Sequence, residues 1–260
     1  MLDQWSRTLK SLCIIFVFLS GCDVWRPPTP TEAELDKGLV VMYPGSFNTT
    51  IEMLGFYEGL RQGGVDEAIE LVQWAAFLDH YYDPTGAQVR NDERARQEAA
   101  RFAAYKQAHP DRPVTLLGYS GGAWFAILVA ERMPEGTQVD RLILMSAAMH
   151  RSYDVSAALA GTREEIVLFW SPRDQFTQDR GVEENLADST HGPPAASFGF
   201  DMQDERLMQI EYDPAWEQYG HYGEHADYLP LVGWIGQFVA PWVAKAPDAG
   251  AATRRIPDGY

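Results

Sequence analysis

Leu116-Leu117-Gly118-Tyr119-Ser120-Gly121-Gly122 is the stretch around which the rest of the chain is organised. An apolar run, 114–117, leads into Gly-x-Ser-x-Gly, and an amphipathic stretch from Ala123 to Met133 follows. That order reads as a strand, a tight turn and a helix, with Ser120 at the apex. The glycines have a steric reason. A serine in such a turn sits at positive φ, and the residues two before and two after it nearly touch, so only small side chains fit. The five-residue pattern alone is weak; the strand before it and the helix after it make it informative.

Outward from this turn, strands and helices alternate. Gly38 to Tyr43 is a short, fully apolar strand of the kind buried in a parallel sheet, ending in Pro44-Gly45-Ser46-Phe47-Asn48. Thr49 or Thr50 then caps a helix running to about Gln62, which Gly63-Gly64 terminates. Ala68 to Trp74 reads as the next strand. Ala75 to Gln88 is aromatic and irregular, with a turn at Asp83-Pro84-Thr85-Gly86. Asn91 starts a long helix through Ala108, stopped by His109-Pro110. Beyond the central turn come strands at Val139–Met145, Glu165–Trp170 and Arg206–Tyr212. A short helix at Tyr153–Ala160, a polar loop from Ser171 to about Asp204 and a last helix from Asp227 to Ala244 complete the series. The expectation is an α/β fold: a mostly parallel sheet of about six strands with helices on both faces and the serine turn after the third.

Composition bounds the function. A chain of 260 residues carries one substantial core. With 37 acidic and 21 basic residues the formal net charge is −16, which argues against nucleic acid or an anionic membrane surface as partner. Cys13 and Cys22 both lie at the extreme amino end, so no disulfide framework or cysteine metal site is expected in the body. The sequence carries no phosphate-cradling loop, dinucleotide fingerprint or cofactor signature, and no cofactor or metal is expected.

The amino terminus reads as a targeting segment. Arg7 and Lys10 precede an apolar run, Leu12 to Leu19, too short to span a bilayer and fitting a signal peptide over 1–21. Leu19-Ser20-Gly21-Cys22 resembles the bacterial lipobox, which implies lipidation of Cys22 and a membrane-anchored protein of the cell envelope, facing away from the cytoplasm. The proline-rich residues 22–36 read as an extended tether, 37–244 as the folded domain and 245–260 as a disordered tail.

A serine turn, a later acid and a final histidine in the order Ser…Asp…His resemble the α/β-hydrolase superfamily from Gly38 to Ala244, without that family's first two strands. Leu-Leu-Gly-Tyr-Ser-Gly-Gly-Ala is similar to the nucleophile elbows of its lipases, esterases and thioesterases. The resemblance implies Ser120 as nucleophile, with a histidine to take its proton. Of six histidines, His109 lies at the edge opposite the elbow, and His80, His150 and His191 fall in loops. His221 and His225 lie between the last strand and the last helix, where the superfamily places its base. Tyr222-Gly223-Glu224-His225 looks like the family's Gly-x-His loop, which favours His225 and leaves His221 as the alternative base. Asp174, following the 165–170 strand, matches the family's acid position, with Asp179 as runner-up and Asp154 in a less usual place.

An oxyanion hole needs two N–H donors. Gly121, at the start of the elbow helix, supplies one; the other comes from Ser46 or Phe47, with Phe47 preferred. Tyr43, Trp74, Trp124, Trp170 and Phe176 suggest an apolar mouth, hence a small hydrophobic ester or thioester as substrate. Three other readings stand beside this one. Amide or peptide hydrolysis would use the same triad. His221-x-x-Glu224-His225 matches a zinc pattern, but that pattern needs a helix, which Gly220 and Gly223 oppose. A hydrolase-like lipoprotein could also serve as a non-catalytic binding or scaffold module.

Overall fold

The computed structural model describes residues 25–76 and 79–244. Six strands form one sheet: β1 (Leu39–Tyr43), β2 (Ala68–Leu71), β3 (Val114–Tyr119), β4 (Val139–Met145), β5 (Thr162–Trp170) and β6 (Leu207–Glu211). Their order is β2-β1-β3-β4-β5-β6, and every neighbouring pair is parallel. The carboxyl ends stay level from β1 to β6: Tyr43 lies beside Gly118, Tyr119 beside Met145, Met145 beside Phe169 and Trp170 beside Glu211.

The strands are apolar on both faces because both faces are covered. Leu39, Val41, Leu116, Leu142, Leu144, Ile166 and Leu168 share one core with Phe102 and Phe125. Val40, Met42, Leu117, Ile143, Val167 and Phe169 point the other way, toward Phe56, Leu60, Trp234 and Val239. The helices are α1 (Glu32–Leu35), α2 (Leu54–Gln62), α3 (Asp79–Tyr82), α4 (Pro84–Ala108), α5 (Gly121–Glu131), α6 (Ser156–Ala160), α7 (Arg180–Glu183) and α8 (Ala195–Phe198). From β1 the chain moves outward to β2, then returns to the opposite side of β1 for β3. The loops leaving β1 and β3 therefore diverge, and such a switch point opens a crevice at the carboxyl ends of the strands.

Four elements differ from their sequence reading. The helix after the elbow is not amphipathic. Gly121 to Ala130 are all buried, because α4 and α6 flank α5 while the sheet lies beneath. Helix α4 begins at Pro84, not Asn91. Asp83 accepts from Gly86 N–H at 3.1 Å with Pro84 in the first turn, so the Asp-Pro read as a turn is a cap and its first residue. Neither threonine caps the helix after β1: Thr50 makes no side-chain cap bond, and the entry is a 3₁₀ turn, Ile51–Met53. The last helix is a series instead: a 3₁₀ turn at His225–Tyr228, then α, π and α turns over Val232–Trp234, Ile235–Val239 and Ala240–Val243. Pro230 and Pro241 provide no N–H to a regular ladder there.

The signal segment 1–21, Cys22 and the tail 245–260 lie outside the described residues. From Trp25 onward the proline-rich stretch lies against the domain. Trp25 packs on Tyr57 with ring centroids 5.4 Å apart, Arg61 pairs with Glu34 at 2.7 Å, and Tyr105 donates to Leu35 O at 2.6 Å.

Candidate active site

Ser120 ends β3 at φ +54°, ψ −120°, a region a non-glycine residue occupies only where its surroundings force it. The forcing is visible. Ser120 N–H donates to Met145 O at 2.9 Å, and Ala148 N–H to Ser120 O at 3.2 Å. A Cβ on Gly118 would stand 2.6 Å from Ala123 N, and one on Gly122 would stand 2.7 Å from Tyr43 C. At Gly118 the chain turns back on itself and at Gly122 it presses on the end of β1, both at spacings only glycine permits, and Ser120 stands at the apex.

Three distant segments meet at that hydroxyl. His225 Nε2 lies 2.9 Å from Ser120 Oγ, and His225 Nδ1 lies 2.8 Å from Asp174 Oδ2. Asp174 follows β5, as expected, and is wholly buried. Its Oδ1 accepts from Thr177 N–H at 3.1 Å, and its Oδ2 also accepts from the Ser146 hydroxyl. Burial alone would raise this carboxyl. The His225 imidazole and the hydrogen bonds from His225, Ser146 and Thr177 outweigh that and hold it below its ordinary value. Asp174 is thus a carboxylate with its acceptor positions filled. The runner-up acids are engaged elsewhere: Asp179 accepts from Gly181 N–H at 2.9 Å, and Asp154 from Ser156 N–H at 2.9 Å.

Ser146 was not foreseen from the sequence. It follows β4 at φ +51°, is buried, and its Oγ also lies 2.9 Å from His225 Nδ1. No local motif marks it. Its only sequence signal is its place at the end of an apolar strand next to the elbow. Two further groups fix the histidine. Tyr119 OH donates to His225 O at 3.0 Å, and Phe176, 46% exposed, stacks on the imidazole at 4.8 Å.

His221 stands apart from the serine. Its ring is wholly buried in an aromatic box with Tyr212, Trp216, Tyr228 and Trp234, at centroid distances of 4.5 to 5.6 Å. Its Nδ1 accepts from Gly223 N–H at 3.1 Å. Gly220 and Gly223 both have positive φ, so 221–224 is loop and His225 only begins a 3₁₀ turn, and the two histidines do not share a helix face as the zinc spacing requires. Elsewhere, His109 lies 3.5 Å from Asp36 and His150 Nδ1 accepts from Ser152 N–H at 3.1 Å; the His80 side chain is outside the described residues.

Beside the elbow, Ser46 lies against Gly121: a Cβ on Gly121 would stand 3.3 Å from Ser46 N. The aromatic mouth is largely a core. Tyr43, Trp74 and Trp124 are buried, Trp74 stacks on Phe125 at 5.2 Å, and its Nε1 donates to Pro44 O at 2.7 Å. Trp74 supports the loop after β1 from below. Trp170, at the end of β5, lies beside Gly199, and of the five aromatics Phe176, stacked on His225, is the exposed one.

No family model matches the chain, and no curated protein matches it in sequence. Solved structures match it in fold. Lipase B of Aspergillus fumigatus superposes with a TM-score of 0.52 at 12% identity, over 84% of this chain and 56% of that one. A type II thioesterase of the borrelidin biosynthetic cluster gives a TM-score of 0.46 at 15% identity, over 85% and 97% of the two chains. A carboxylesterase of Bacillus subtilis gives 0.42 at 11%, over 83% and 85%. At 12% identity the likeness to the lipase is one of fold alone: an open parallel sheet of α/β-hydrolase type.

Proposed function

We propose that the chain is a serine hydrolase that cleaves carboxylic esters or thioesters of apolar acyl groups. Ser120 Oγ attacks the carbonyl carbon as His225 Nε2 takes its proton, and the same imidazole then protonates the leaving group. Water deacylates the enzyme by the reverse use of the histidine. Asp174 keeps the proton on Nδ1 and stabilises the imidazolium. Gly121 N–H and an N–H of the 45–47 loop receive the oxyanion. The observation that supports this most is one imidazole within hydrogen-bond reach of both Ser120 Oγ and Asp174 Oδ2. Lipidation of Cys22 would anchor the enzyme to a membrane, as the lipobox-like sequence implies.

The test is hydrolysis of p-nitrophenyl esters of increasing acyl length by the protein and by Ser120→Ala. The substitution is expected to lower kcat/KM by about 10³-fold or more while leaving stability within about 1 kcal/mol. A Ser120→Ala protein with undiminished turnover would sink the assignment.

A further inference from the structure

Glu52 is a buried carboxyl for which the triad has no use. It sits in the 3₁₀ turn behind the loop that leaves β1, and is 5% exposed. Its Oε1 accepts from Thr49 N–H at 3.0 Å and from the Thr49 hydroxyl at 3.2 Å. The Gly45 backbone N–H lies near enough to the same carboxyl to favour its charged form. A Cβ on Gly45 would stand 3.2 Å from Glu52 Oε2 and 3.3 Å from Ser120 Cβ. The bare face of the glycine therefore meets both the carboxyl and the apex serine.

Thr49-x-x-Glu52 has the spacing of a helix capping box, which accounts for the bond to Thr49 N–H. A capping role does not account for Gly45, which lies outside the helix and beside Ser120. The outer flank of the loop is held separately. Asn48, at φ +55°, accepts from Trp74 N–H at 3.1 Å through Oδ1, and Gln73 donates to Asn48 O at 2.8 Å. Glu52 holds the inner flank, from both ends of the segment that contains Ser46 and Phe47. A carboxyl this deep is costly unless hydrogen-bonded, and burial raises it to about 7 against the pull of those bonds.

We propose that Glu52 is a positioning residue for the oxyanion site: by bonding Thr49 and packing against Gly45 it keeps the intervening N–H donor turned toward Gly121. The inference rests on Ser120 being the nucleophile. Glu52 touches no reacting atom; it acts through the loop.

The test is Glu52→Gln in the full chain, with kcat and KM for p-nitrophenyl butyrate and the affinity of an aryl trifluoromethyl ketone, whose serine adduct carries an oxyanion. The amide retains the volume but sets an NH₂ against an N–H donor. A fall in kcat of about 10- to 100-fold is expected, with KM within about twofold and ketone affinity falling in step with kcat. Unchanged or raised kcat, or a loss carried by KM, overturns the proposal. Thr49→Val, at a half-buried position, removes one bond to the same carboxyl and decides the matter if Glu52→Gln does not fold. A several-fold loss of kcat supports the clasp, and wild-type kcat there overturns it. A wild-type protein that neither turns over ester nor binds the ketone refutes the nucleophile. An active wild type matched by Glu52→Gln refutes only the clasp.

Discussion

The two ends of the sheet bury polar groups in opposite ways. At the amino ends of the strands, Asp140 and Arg141 are wholly buried in a closed set of charges. Asp140 accepts from Val114 N–H at 2.6 Å, pairs with Lys106 at 3.0 Å and meets Arg163, while Arg141 meets Glu164 and lies 3.4 Å from Glu165. At the carboxyl ends, Asp174, Ser146 and His225 form a chain of hydrogen bonds that stops at the Ser120 hydroxyl. The first set fixes strand ends by compensated charge. The second ends on a hydroxyl that no charge pairs. A hollow of about 720 Å³, lined in part by Lys106, Pro134 and Arg163, lies at the amino end, away from the triad.

Each end is expected to respond in its own quantity. Arg141→Met leaves Glu164 and Glu165 without their buried partner and should cost about 3 kcal/mol or more, read from urea unfolding, while activity per folded molecule stays unchanged. Lost activity in the still-folded variant would mean that the two ends are coupled.

The carboxyl end should show itself through pH. Folding raises Glu52 from 4.5 to about 7. A raised carboxyl binds more protons folded than unfolded between those values, so its contribution falls as pH rises through that window. From pH 4.5 to 8, wild type should lose about 3 kcal/mol relative to Glu52→Gln; parallel stability curves would contradict this. Asp174, held below its ordinary 3.8, acts in the opposite sense: its contribution is present above pH 3.8 and is lost as pH falls through its lowered value.

The smallest effect is expected at Ser146. Ser146→Ala removes one donor to Asp174 and leaves the His225 bond, so kcat should fall about tenfold with little change in KM. Wild-type kcat would reduce Ser146 to a packing residue.

This contrast also bears on what the sequence discloses. The elbow was legible because its geometry is local: five consecutive residues carry the steric argument, and the strand and helix beside them confirm it. The sheet was legible through unbroken apolar runs, and Asp174 and His225 were singled out through the family resemblance, which picks residues after particular strands; the structure brings both side chains to Ser120. Ser146 and Glu52 were not singled out. Ser146 matters through neighbours on other segments, and nothing next to it in the chain announces Asp174; Glu52 carries only a capping spacing, which does not disclose its burial beside Gly45 and Ser120. Asp83-Pro84 misled because a cap and a turn use the same residues. Tyr43 and Trp74 misled because a strand's end does not tell whether a large ring faces the crevice or a helix, and Trp124 because its helix is buried all round.

Fluorophosphonate labelling of the full chain, with peptide mapping of the adduct, tests the central claim most directly. A single adduct on Ser120 is expected, slowed about 100-fold or more in His225→Ala and preserved in His221→Phe, whose ring stays in its aromatic box. An adduct on another residue, undiminished labelling in His225→Ala, or no labelling of well-folded protein would contradict it.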